Sequence, residues 1–160
     1  MKRMPPRSIR FPHRGAIMAG FSTSEWIARA PNEVFDFITN PNNAPKVMES
    51  VQSMVALTEG PLRVGTRYRE TRLMRGKEER AELEVVGYEP HRRYAVKNVT
   101  EGFDTVYDYA FRAEATGTRV DLVCTVTTSG AKRLMLPVVT AVLKKEDGDH
   151  LLRLKKALDA

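Results

Sequence analysis

The last thirty residues, Ala131 to Ala160, constrain this chain more than any other stretch. Leu136, Thr140, Leu143, Leu151, Leu154 and Leu158 recur at helical steps and share one face, while Lys144, Lys145, Asp149, Lys155 and Lys156 fall mostly on the other. The stretch is also rich in good helix formers. A helix from Pro137 to Leu158 would be about 33 Å long at 1.5 Å per residue. An amphipathic rod of that length needs a surface to lie on. Gly148, among Glu146, Asp147 and Asp149, interrupts the apolar stripe. Either the rod bends there and leaves room beneath it, or the interruption is a kink on the outer surface. Pro137 fits a helix start or a kink after a short turn.

The surface is supplied by what comes before. From Val51 onward, turn residues fall at Gly60-Pro61, Gly65, Gly76, Gly87 to Pro90, Gly102, Gly117 and Gly130. Even spacing of that kind predicts an antiparallel meander, with strands over 51–58, 66–75, 79–88, 92–100, 104–113 and 119–128. Phe21 to Ala30 adds a first strand, for seven in all. Pro31-Asn32-Glu33 then opens a short helix with Val34, Phe35, Phe37 and Ile38 on its buried side, and a second short helix is expected over Asn43 to Ser50. Apolar residues alternate with polar ones in the strands: Tyr107, Tyr109 and Phe111; Val120, Leu122, Cys124 and Val126; Ala81, Leu83 and Val85; Tyr94 and Val96. That alternation means one wet face and one covered face. A strongly curved sheet would let the covered face cup the terminal helix and leave a cavity between them.

Length allows one domain with a real core. The net charge of +6 sits mostly in the first twenty residues, where Lys2, Arg3, Arg7, Arg10 and Arg14 meet no acid; the rest holds 21 bases against 20 acids. The body therefore lacks the basic excess of a nucleic-acid groove. Residues 1–20, with Pro5, Pro6 and Pro12 and no apolar period, read as a flexible basic arm. Three readings of it stand: sequence upstream of a start near Met18, a solubilising tail, or a weak anchor for an anionic surface. Residues 21–160 form the domain. The longest nearly apolar run, Leu134 to Leu143, is too short to span a bilayer. A lone cysteine, Cys124, permits no internal disulfide and points to a reducing compartment, the cytoplasm.

The order of motifs carries a family resemblance. A strand ends in Ala30-Pro31, Val34-Phe35 opens a helix that Asn40-Pro41 closes, and Leu62-x-Val64-Gly65-Thr66 precedes a strand. Val85-x-x-Tyr88-x-Pro90, Gly117-Thr118-Arg119-Val120 and Leu154-Lys155-x-x-Leu158 follow. Over residues 21–160 this resembles the polyketide cyclase/dehydrase group of the SRPBCC superfamily, which includes START domains and the birch-pollen allergen family. The resemblance implies an α+β helix-grip fold: seven curved antiparallel strands around a long C-terminal helix, two short helices between strands 1 and 2, and an internal cavity. Many members carry a Trp soon after the first helix, where this chain has Lys46-Val47, so a different cavity lip is expected.

Candidate site residues follow from strand parity. Trp26, Tyr68, Met74, Leu83, Tyr94, Tyr107, Tyr109, Phe111 and Leu143 are expected to line a ligand cavity. The strand 66–75 leaves its face open. If Tyr68, Glu70, Arg72 and Met74 face inward, Arg72 would hold a carboxylate or phenolate and Glu70 would serve as an acid or base. Otherwise Glu70 and Arg72 belong to a surface ladder of opposite charges. His13, His91 and His150 show no metal-ligand spacing, no nucleophile or phosphate-loop motif is present, and Cys124 reads as an inert buried thiol. The expectation is a binder or carrier of a small hydrophobic or aromatic molecule, lipid-, polyketide- or quinone-like, with neither metal nor cofactor, acting as a monomer or homodimer. The alternatives are a polyketide cyclase/dehydratase-type enzyme using the same cavity and a non-catalytic interaction or membrane-associated regulator.

Overall fold

The computed structural model describes residues 17–159 apart from Glu101. Most of the basic arm lies outside the described residues. Strand β1, Ile17–Ile27, begins four residues earlier than the sequence suggests, so residues 17–20 belong to the sheet. Helix α1, Pro31–Thr39, starts with a proline in its first turn, and the Glu33 carboxylate accepts the Ala30 backbone N–H at 3.0 Å. Asn40 caps a 3₁₀ turn, Pro41–Asn43, its side-chain oxygen accepting from the Asn42 N–H at 3.0 Å.

Helix α2 covers only Ala44–Val47, not Asn43 to Ser50. Met48 is already extended, with φ −125° and ψ 113°, and the chain turns inward there. The reason lies in the partners of that turn: Met48 and Ser50 both contact the Arg72 guanidinium.

The remaining strands are β2 Val51–Ala56, β3 Arg67–Met74, β4 Lys77–Glu89, β5 Arg93–Thr100, β6 Phe103–Glu114 and β7 Gly117–Thr128. They form one antiparallel sheet in the order β1-β7-β6-β5-β4-β3-β2. Arg75 and Gly76, both at positive φ, make the two-residue turn that joins β3 to β4, as a tight hairpin of this hand requires. Irregular register at Val51/Ser53 and at Val85/Gly87 adds bend to a sheet that must curve.

The C-terminal rod is two helices in line, α3 Leu136–Asp147 and α4 His150–Asp159. The break is slight. The Gly148 N–H still donates to the Lys144 carbonyl at 2.8 Å, and the Arg153 N–H to the Asp149 carbonyl at 3.0 Å. Pro137 sits in the first turn of α3, which settles it as a helix start. Asp147 and His150 beside the break are each only 1% exposed, so the interruption faces inward rather than forming an outer kink. Two apolar clusters pack part of the gap between sheet and rod. A large one gathers Ile27, Val34, Phe35, Val47, Val85, Phe111, Val120, Leu122, Leu151 and Leu154; a small one gathers Cys124, Val126 and Leu136.

Candidate functional site

A cavity of about 300 Å³ remains between the sheet and the rod. Its apolar walls come from Met54 of β2, Met74 of β3, Leu83 of β4, Val96 of β5, and Val139 and Leu143 of α3. Tyr94, Tyr107 and Tyr109 line it from β5 and β6. Six of the nine residues expected to bind ligand therefore reach it. Three do not. Trp26 lies on the outer face of β1, because the inward parity there belongs to Phe21 and Ile27, paired with Cys124 and Thr118. Its indole N–H donates to the Glu114 carbonyl at 2.9 Å, and its ring packs where a Cβ on Gly117 would fall. Tyr68 faces inward but is packed in the core. Phe111 is covered by α1, with Phe35 edge-on at a centroid distance of 5.3 Å.

Strand β3 turns both of its candidate charges inward. Glu70 is 3% exposed, and the Arg72 side chain 16%, and both line the cavity. The surface reading is excluded by burial: although Arg72 stands opposite Glu79, Glu70 faces Ala81 and Met54, and the inward parity of β3 matches that of Leu83. Arg72 is held along two of its three nitrogens. Its Nε donates to Glu70 Oε1 at 2.5 Å, and its Nη1 to Asp147 Oδ1 and to Ser50 Oγ, each at 3.2 Å. Nη2 lies 3.5 Å from Met48 Sδ. Burial works against the guanidinium's charge, but Glu70 and Asp147 outweigh it and raise its pKa above the ordinary value.

A second polar layer comes from β6 and the α3–α4 junction. The Tyr107 hydroxyl donates to Asp147 Oδ2 at 2.7 Å, and the Tyr109 hydroxyl lies 3.2 Å from His150 Nε2. Burial, then the charge of Asp147, pushes both phenols well above their usual range, so both stay protonated. Burial pushes the His150 imidazole down to about 4, against the weaker upward pull of Asp147. His150 is therefore neutral near pH 7, and its Nδ1 has no partner among the described residues. Burial likewise raises the Cys124 thiol to about 12, which agrees with an inert core cysteine. Among the described residues there is no metal-binding group of His, Cys, Asp and Glu.

Asp147, His150, Ser50 and Met48 escaped the sequence reading. Asp147 and His150 occupy positions on the apolar stripe itself, between Leu143 and Leu154, and polar residues on a buried stripe were the available signal. Met48 and Ser50 gave none, since their role depends on the chain leaving α2 early.

A curved sheet gripping a helix over a partly polar cavity defines the helix-grip class of the SRPBCC superfamily. The chain belongs to the family described as polyketide cyclase / dehydrase and lipid transport, whose model matches residues 18–159. Solved structures agree in fold. Ara h 8.0201 superposes with a TM-score of 0.70 at 18% identity, over 91% of this chain and 100% of that one. TTHA0849 from Thermus thermophilus gives 0.66 at 19% identity, over 88% and 94%. The di-domain ARO/CYC StfQ from the steffimycin biosynthetic pathway gives 0.70 at 13% identity, over 89% of this chain and 50% of that one. No curated protein matches the chain in sequence. No helix among the described residues is long and apolar enough to cross a membrane.

Proposed function

We propose that this chain binds a small hydrophobic or aromatic molecule in the cavity between the sheet and α3, as a carrier or presenting protein. The observation that supports it most is the cavity of about 300 Å³, with apolar walls and a group of charged and hydroxyl side chains among them, which is the usual form and the lower size of a small-molecule site. The family's description includes lipid transport, which agrees. A reducing, cytoplasmic setting fits a chain whose single cysteine, Cys124, leaves no internal disulfide to form. Phenylnaphthylamine, an uncharged probe that fluoresces in apolar surroundings, should bind saturably, and Leu143→Trp should block it by filling the cavity while leaving the fold intact. No saturable signal with the native chain, or an unchanged one with Leu143→Trp, would sink this reading.

A second reading is a cyclase or dehydratase acting on a polyketide-like substrate in the same cavity. It is favoured by ionisable groups on or behind the wall, Glu70, Arg72, Asp147 and His150, and by the description of StfQ as a di-domain ARO/CYC protein. Turnover of a poly-ketone thioester to a product lighter by one water, lost in Glu70→Gln, would support it. Absence of any such product would remove it.

A further inference from the structure

We propose that the cavity selects ligands whose polar end is an uncharged or cationic hydrogen-bond donor, a hydroxyl or amine on an apolar ring system, and rejects carboxylic acids of the same skeleton. This rests on the binding reading above.

The residue that would attract an acid is Arg72, and two of its three nitrogens already have the chain's own oxygens as acceptors. Glu70 takes its Nε, Asp147 and Ser50 take Nη1, and Met48 Sδ covers Nη2. The one edge left to an incoming carboxylate is Nη2, beside the weak Met48 thioether acceptor, and a third carboxylate there would share one guanidinium with Glu70 and Asp147 and meet their repulsion. Formal charge points the same way. On the cavity wall three acids, Glu70, Glu79 and Glu146, stand against two bases, Arg72 and Arg80, and Asp147 lies directly behind Arg72. Arg80 is tied to Glu78 at 2.9 Å on the outside. His150 is neutral and adds no positive charge.

The Glu70–Arg72 group also leaves open an acceptor. Glu70 Oε1 is taken by Arg72, but Oε2 has no hydrogen bond among the described residues and is not sealed from the cavity. The residue is 3% exposed, so only a small ligand or water entering the cavity can reach that oxygen. Tyr94, which lines the cavity and feels the charge of Glu70, likewise has a hydroxyl without a partner among the described residues. A carboxylate oxygen and a phenol together match a ligand hydroxyl, which donates to one and accepts from the other, or an ammonium, which also meets the excess negative charge.

Four naphthalenes of one skeleton test this by displacement of phenylnaphthylamine at neutral pH: methylnaphthalene, naphthol, naphthylmethylamine and naphthoate. Naphthol and the amine should bind at least about tenfold more tightly than naphthoate, a gap of about 1.4 kcal/mol. Glu70→Gln, checked for folding by its melting curve, should narrow the amine's advantage severalfold; should that variant not fold, the native series alone decides. Naphthoate binding as tightly as the other two overturns the inference and leaves the cavity reading intact. If neither methylnaphthalene nor the probe itself binds, the cavity reading falls and takes the inference with it.

Discussion

At the scale of single residues, Arg72 holds the buried charges together, and the energetics of burial say what its loss does. Glu70 and Asp147 are almost wholly buried and both face the guanidinium. Arg72→Met leaves them facing one another without a cation, and breaking a buried pair this way costs about 3–5 kcal/mol. Removing all three charges, as Glu70→Gln, Arg72→Met and Asp147→Asn together, should cost less than the single change; urea unfolding of the native chain and both variants checks the order. A triple variant weaker than Arg72→Met would mean that hydrogen bonding, rather than charge, dominates. His150 supplies a separate test. Its folded value lies near 4 against 6.5 for the free side chain, so between those values the unfolded chain holds a proton that the folded chain lacks. Stability should therefore fall as the pH drops from about 6.5 towards 4, by about 3 kcal/mol from this group alone, and His150→Asn should remove that part of the slope. The groups facing it are Tyr109, Asp147, Asp149 and Arg72. Equal slopes in the two proteins would contradict the burial of a neutral imidazole. This scale was the least legible in sequence. Parity offered Glu70 and Arg72 as a pair but not which way they face, because a strand of alternating charges has no apolar side to choose. Asp147 and His150 were hidden by their type, since polar residues on a helix read as surface until the neighbours are known.

At the scale of elements, the two halves of the C-terminal rod do different work. Within α4, His150, Leu151 and Leu154 are all essentially buried against the core. Within α3, only Leu136 and Asp147 are, while Val139 and Leu143 stand over the cavity. Few packed neighbours mean cheap local opening. Amide hydrogens of α3 should therefore exchange through local opening, well before those of α4, which should wait for global unfolding; a bound ligand should slow exchange in α3 most. Equal protection of the two halves without ligand would mean the cavity has collapsed in solution. Most elements could be read from the chain: every strand of the meander lies within about two residues of its expected span, because alternation and glycine-marked turns act locally. Failures came where tertiary contacts override local preference. Helix α2 ends at Val47 because Met48 and Ser50 are drawn to Arg72. The break at Gly148 was legible as an interruption of the stripe, but its inward side shows only once Asp147 and His150 are seen to be buried.

At the scale of the molecule, one sheet carries both apolar clusters, and this decides how the chain comes apart. Strand β7 gives Val120 and Leu122 to the large cluster and Cys124 and Val126 to the small one. Strand β6 gives Tyr109 and Phe111 to the first and packs Tyr107 against both. Neither cluster can melt without unzipping strands the other needs, so heating should give one transition, coincident in far- and near-ultraviolet circular dichroism. Because residues of both clusters line the cavity, which exists only in the folded chain, a ligand that occupies it must raise that single transition rather than create a second. At a free concentration about a hundredfold above its dissociation constant, the linkage is worth about 2.7 kcal/mol. For a domain of this size each kcal/mol moves the midpoint by about 2–4 °C, so the expected rise is roughly 5–10 °C. Naphthol or naphthylmethylamine should produce it and naphthoate at the same concentration should fall well short. A melt that splits in two as ligand is added would show that the clusters are separable, and the cavity would then belong to a local pocket rather than to the grip of the sheet on its helices.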